Sequence, residues 1–270
     1  MHSRAIRTLL LCPLVLALAA LTAARGETRP TRRDPGAAPA AILWVGNSFF
    51  YYNNSLHNHF GRLAASAQPA VRVRGTSVTI SGSGLDWHDM ASLVREGQLG
   101  RYSFTTDNEV RFNPPGRQYD TAIIMDCSQC PIHPRLQQAF HDTARRHSRT
   151  LADAGIRTAL FMSWAYQDKP EMTAQLAEQY TKAGNDNDLV VIPAGLAFAR
   201  ALAERPEVVL HDADKRHPSL AGTYLAAATT YATLFRKSPA GCGYTAGLDP
   251  ELARFLRGVA WAAVTDFFRP

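Results

Sequence analysis

Ser48 stands in the run Leu43-Trp-Val-Gly-Asn-Ser-Phe-Phe-Tyr51, and far downstream the chain reads Asp214-Lys-Arg-His217-Pro218. A serine hydroxyl attacks a carbonyl only when a base takes its proton, and the base needs a third group to orient it. All three types are present here, in the order Ser, Asp, His. The apolar run from Leu43 enters a Gly-Asn-Ser turn, which puts the hydroxyl at a strand end. Asp214 and His217 lie three residues apart, and Pro218-Ser219 look like the start of a helix that fixes their loop. Each residue has a blander alternative. Ser48 also suits a turn or helix N-cap, His217 a surface position at a helix entry, and Asp212 could replace Asp214 as orienter.

Attack on a carbonyl builds negative charge on its oxygen, so N–H donors must face that oxygen. The Ser48 backbone N–H is one candidate. Gly82, in Ser81-Gly-Ser-Gly84, is a second, because a glycine lets backbone approach a ligand closely; Gly84 is its rival. Trp44, Phe49, Phe50, Tyr51 and Tyr52 flank the serine and suit either a substrate pocket or the core.

The Gly46-Asn-Ser48 block and the late Asp-x-x-His-Pro block resemble those of the SGNH (GDSL-like) hydrolase superfamily. The whole stretch Leu210–Leu225 looks like the last catalytic block of a secreted bacterial branch. The resemblance implies a three-layer α/β/α sandwich with a five-stranded parallel sheet, flavodoxin-like in architecture. It further implies a carboxylic ester hydrolase working through an acyl-enzyme, with Ser48 as nucleophile, His217 as base and Asp214 as orienter. Ser48 and Gly82 would supply the oxyanion N–H groups, no metal or organic cofactor would be needed, and the substrate would be a small-molecule or carbohydrate ester. Aligning Gly82-Ser-Gly-Leu85 on its leucine makes Gly82 the second-block glycine. Many members carry an asparagine donor in a third block. Here Met125-Asp-Cys-Ser-Gln-Cys-Pro131 has none, leaving Ser128 and Gln129 as candidates for that role. The gap motivates a second reading, a non-catalytic binding protein for extracellular glycan or an envelope component.

Cys127-x-x-Cys130 supports a third reading, a thiol oxidoreductase. Zinc would need two further ligands, and only scattered histidines such as His133 offer themselves. A structural disulfide is the remaining alternative, pairing Cys127 with Cys130 or reaching to Cys242.

The elements that must position these groups alternate. Short runs at 41–45, 121–126, 157–163 and 189–193, and an alternating stretch at 71–80 through Val71, Val73, Val78 and Ile80, read as strands. Helical spacing appears at 55–67, 85–96, 135–154, 171–183, 197–203, 220–235 and 250–268. Such alternation calls for a parallel sheet covered on both faces, with its sites at the carboxyl ends of the strands. Residues 101–118 carry no clear pattern. Ahead of this domain, taken as residues 40–270, residues 1–26 read as a signal peptide: Arg4 and Arg7, an apolar run from Leu9 to Leu21, then small residues. Cys12 lies inside that run, which argues against a lipoprotein anchor. A Pro- and Arg-rich stretch, 27–39, reads as a disordered lead-in. These features predict an exported protein, periplasmic or secreted, without a stable membrane anchor. Removing residues 1–26 takes away Arg4, Arg7 and Arg25 and no acid, leaving 26 basic against 23 acidic residues. That small excess, even with the Arg145-Arg-His-Ser-Arg149 cluster, reads as solvated surface and gives no support to nucleic-acid binding. Oligomeric state leaves no trace in the sequence.

Overall fold

The computed structural model describes residues 28–105 and 107–270. The strands are β1 (Ala41–Gly46), β2 (Arg74–Thr79), β3 (Tyr102–Phe104), β4 (Val110–Phe112), β5 (Thr121–Ile124), β6 (Arg157–Phe161) and β7 (Val190–Ile192). The helices are α1 (Ser48–Tyr51), α2 (Leu56–Ala65), α3 (Met90–Val94), α4 (Gln137–Asp153), α5 (Met172–Asp186), α6 (Ala194–Glu204), α7 (Leu220–Phe235) and α8 (Pro250–Phe267). Five strands form one parallel sheet in the order β2-β1-β5-β6-β7. Helices α2, α6, α7 and α8 pack on one another, and α4 contacts α3 and α5, giving a three-layer α/β/α sandwich.

The central strands explain their own position. Ile42, Leu43, Trp44 and Val45 in β1 and Ala122, Ile123 and Ile124 in β5 are all buried. A strand covered on both faces has no polar side to alternate with, so it reads as an unbroken apolar run. β1 leads to β2 on one side and pairs with β5 on the other, so the strand order reverses beside β1. The crevice at the carboxyl ends of β1 and β5 is therefore the topological switch point, where ligands bind in open α/β sheets.

Helix α7 is buried from Ala221 to Leu234. Its three inner threonines, Thr229, Thr230 and Thr233, satisfy their hydroxyls by donating to the carbonyls four residues back. Gly222 lets this helix sit directly on the preceding loop: a Cβ there would collide with the Leu210 carbonyl oxygen. The loop carrying Asp214 and His217 is thereby set against the core.

Three expectations need adjustment. Residues 101–118 contain an antiparallel ribbon, β3 with β4, in which Tyr102 faces Phe112 and Phe104 faces Val110. The segment 85–96 divides into a 3₁₀ turn (Leu85–Trp87) and the short α3, because Asp89 caps α3 by accepting from Ser92 N–H. The lead-in, from residue 28 onward, has no helix or strand but is not free. The Thr31 N–H and hydroxyl both donate to the Asn185 side chain, Arg32 pairs with Asp188 at 2.9 Å, and Arg157 donates to the Pro35 and Ala37 carbonyls. Its polar side chains, read as signs of disorder, are used as ties. The expected signal peptide and Cys12 lie outside the described residues.

Candidate active site

The site begins where β1 ends. Asn47 caps the one-turn helix α1, its side-chain oxygen accepting from Phe49 N–H at 3.2 Å. Its amide Nδ2 donates to the Ser83 carbonyl at 3.1 Å and to the Asp126 carbonyl at 3.2 Å. One buried side chain thus joins the segments that follow β1, β2 and β5. Sequence reasoning assigned it no role, since an asparagine in a turn gives no sign of the two segments it reaches.

Ser48 follows directly. Its Oγ lies 2.8 Å from His217 Nε2. His217 Nδ1 is hydrogen-bonded to Asp214 Oδ2, so Nδ1 carries the proton and Nε2 is the acceptor for the serine hydroxyl. Asp214 Oδ1 accepts from the Arg216 and His217 N–H groups, each at 2.9 Å. Partial desolvation pushes the Asp214 pKa upward, but the hydrogen bonds from the His217 ring and these two N–H groups prevail and lower it to about 2. It is therefore an anion at any ordinary pH. Asp212 spends its carboxylate on Ala213 N–H at 2.7 Å and bonds the His217 carbonyl only through its own backbone N–H.

The His217 ring is held by aromatic neighbours. Tyr52 stacks on it at 4.1 Å between centroids and 5° between planes, and Phe49 meets it edge-on. Phe49, Trp164 and Phe198 form a continuous stack. Trp164 Nε1 donates to the Arg216 carbonyl at 3.0 Å, and Gln167 N–H donates to the Lys215 carbonyl at 2.9 Å. The segment after β6 therefore braces the base loop.

Gly82 adopts φ +70°, a left-handed conformation that favours glycine, and a Cβ there would meet nothing within 4 Å. Among the described residues, neither the Ser48 nor the Gly82 N–H donates to another group. Gly84 serves a different need: a Cβ on it would collide with Asp86 Oδ1 and approach Asp126 Oδ1 to 3.2 Å. Ser128 Oγ is 2.7 Å from Tyr166 Oη, so the hydroxyl that accepts in this pair keeps a proton to give elsewhere. Gln129 leads into a 3₁₀ turn (Cys130–Ile132), its carbonyl accepting from Ile132 N–H at 3.0 Å.

Asp126 is buried beneath this rim. Its Oδ1 accepts from Leu85 N–H at 2.9 Å and Cys127 N–H at 2.6 Å. Desolvation nevertheless dominates and raises its pKa to about 6. Cys127 and Cys130 form a disulfide of 2.08 Å, while Cys242 is a buried free thiol. Asp126, Cys127 and Cys130 are close enough to share a metal ion. The two sulfurs, however, are bonded to each other and offer no thiolate.

No family model matches the chain. A curated relative, the cytochrome P450 monooxygenase sdnF of Sordaria araneosa, is 26% identical over 125 residues, which cover 45% of this chain and 23% of that protein. The chain thus spans about a quarter of that relative's length. Among solved structures, a DUF4886 family protein from Bacteroides uniformis superposes with a TM-score of 0.60 at 18% identity, covering 83% of this chain and 94% of that one. An SGNH-hydrolase-type protein from Slackia heliotrinireducens gives 0.52 at 22% identity, with 72% and 98% covered. A point mutant of Axe2, an acetyl-xylooligosaccharide esterase from a Geobacillus, gives 0.51 at 13% identity, with 72% and 94% covered. The chain has the fold of the SGNH hydrolases.

Proposed function

We propose that this protein is a serine ester hydrolase acting through an acyl-enzyme. One observation carries the reading: the Ser48 hydroxyl is 2.8 Å from His217 Nε2, and the opposite ring nitrogen is bonded to Asp214. In the first half-reaction Ser48 Oγ bonds to the ester carbon as its proton passes to Nε2. The imidazolium, steadied by the Asp214 carboxylate, then gives that proton to the departing alcohol oxygen as the C–O bond breaks. In the second half-reaction water takes the place of the alcohol and Ser48 is released. The free N–H groups of Ser48 and Gly82 serve as oxyanion donors, and the Ser128 hydroxyl, paired with Tyr166 in the segment after β5, is the candidate for a third. No step calls for a metal or organic cofactor.

The substrate we favour is a carboxylic ester with a small acyl group, an acetylated carbohydrate foremost. This rests on analogy with the acetyl-xylooligosaccharide esterase of the same fold. Export to the periplasm or medium is part of the proposal, and the Cys127–Cys130 disulfide suits an oxidising compartment. Purified protein should turn over p-nitrophenyl acetate, and Ser48→Ala should fall to the uncatalysed rate. Equal rates for the two proteins would remove Ser48 from the mechanism.

The missing third-block asparagine favours one alternative, a glycan-binding protein that retains the fold. It predicts saturable glycan binding with no ester turnover. A thiol oxidoreductase draws less support, because Cys130 opens a 3₁₀ turn and not the α-helix whose N-terminus would stabilise a thiolate.

A further inference from the structure

The chain between the nucleophile and α2 is folded unusually. Asn53, Asn54 and Ser55 have φ of 53°, 66° and 68°, three consecutive residues in the left-handed region that side chains disfavour. The reversal turns the Asn53 side chain toward the far end of the sequence. Its Nδ2 donates to the Pro218 carbonyl and to Thr223 Oγ1, both at 2.8 Å. Pro218 is the residue after His217, and Thr223 lies in the first turn of α7. The Asn53 carbonyl is held in turn, 2.7 Å from His59 Nε2. A carbonyl only accepts, so Nε2 carries the proton. His59 Nδ1 then accepts from the Tyr244 hydroxyl at 2.9 Å, a neutral ring matched to both partners. Burial lowers the His59 pKa, which keeps it in that form. The preceding residue, Tyr52, stacks face to face on His217.

We propose that Tyr52 and Asn53 form a clamp that positions the His217 imidazole over Ser48. The inference rests on the triad reading above and assigns residues that act through His217 and take no part in proton transfer. The Ser48–His217 hydrogen bond cannot itself keep the two segments aligned, because it must break and re-form as the proton moves through each half-reaction. Bonds that take no part in proton transfer have to hold the geometry. Asn53 supplies them to the backbone after His217, and Tyr52 supplies a flat surface against the ring. Small displacements of a base from its nucleophile are costly in rate while leaving substrate affinity little changed.

The test is Asn53→Gly, which accepts the left-handed backbone and removes both donated hydrogen bonds. Wild type and Ser48→Ala are assayed alongside with p-nitrophenyl acetate, and kcat is expressed per site titrated with a fluorophosphonate. Wild-type turnover lost in Ser48→Ala secures the triad reading independently. The clamp then predicts that Asn53→Gly lowers kcat by roughly ten- to a hundredfold with KM within about twofold, and slows Ser48 phosphonylation in proportion. A kcat per titrated site equal to wild type overturns the clamp and leaves the triad intact. Tyr52→Leu, which leaves every backbone tie in place, carries the same test if Asn53→Gly fails to fold. It should lower kcat at constant KM, and an unchanged kcat would likewise overturn the proposal.

Discussion

Ser48 meets His217 because side chains outside the triad fix the segments on either side of it. Asn47 joins the ends of β1, β2 and β5, and Asn53 joins the nucleophile's segment to the base loop. Ser48, Asp214 and His217 were legible in the sequence because their types, order and local spacing mark a known chemistry. Asn47, Tyr52 and Asn53 were not, because what each one does depends on a partner far away in the chain. Asp126 was equally silent, a carboxylate whose character comes from its burial. Its folded pKa of about 6 lies above the ordinary carboxylate value near 4, so the fold binds its proton more tightly than the unfolded chain does. Ionised Asp126 therefore costs stability. That cost is full above about pH 6 and relieved as the pH falls from there toward about 4. Asp126→Asn keeps an acceptor oxygen and removes the charge. It should be more stable than wild type at pH 8 by up to about 3 kcal/mol, with the gap closing toward pH 4, as urea unfolding at several pH values would show. A gap that does not change with pH would contradict this account of Asp126.

The inner parallel strands could be read from their apolar runs, the edge strand β2 only from alternation around Val73, Val78 and Ile80, and the long helices from their periodicity. The β3–β4 ribbon could not, because its strands are three residues each and its apolar side chains stay exposed, Phe112 at 79% and Phe104 at 65%. Without burial there is no alternation of environment to imprint on the sequence. Helix α7 presents the opposite case. It is buried almost all round, so its pattern reveals a helix but not which neighbour it touches most closely. Gly222 is that point, its Cα facing the Leu210 carbonyl. Gly222→Ala would drive a methyl group into the Leu210 carbonyl oxygen and should cost about 1–3 kcal/mol, the usual range for overpacking, seen as a lowered Tm. Because Leu210 leads into the loop bearing Asp214 and His217, kcat should fall as well. A variant with unchanged Tm and kcat would show that α7 does not set that loop.

Taken whole, the molecule places its chemistry where an open parallel sheet leaves a crevice, beside the strand at which the order reverses. That placement follows from the alternation of strands and helices alone, without any side-chain contact. The lead-in was misjudged because composition reports what a segment lacks in apolar side chains, whereas Thr31, Arg32 and the backbone at Pro35 and Ala37 are tied by polar contacts. No helix among the described residues is long and apolar enough to cross a membrane. The central claim is that an early hydroxyl and a late imidazole–carboxylate pair form one reactive unit. Intact-mass and peptide mapping after exposure to a fluorophosphonate probe reads that unit without knowledge of the natural substrate. The account predicts one adduct per chain, on Ser48, formed at least about a hundredfold more slowly in His217→Ala, in keeping with the roughly 10²–10⁴-fold worth of a general base. A probe that leaves Ser48 unmodified, or labels it equally fast without His217, would contradict it.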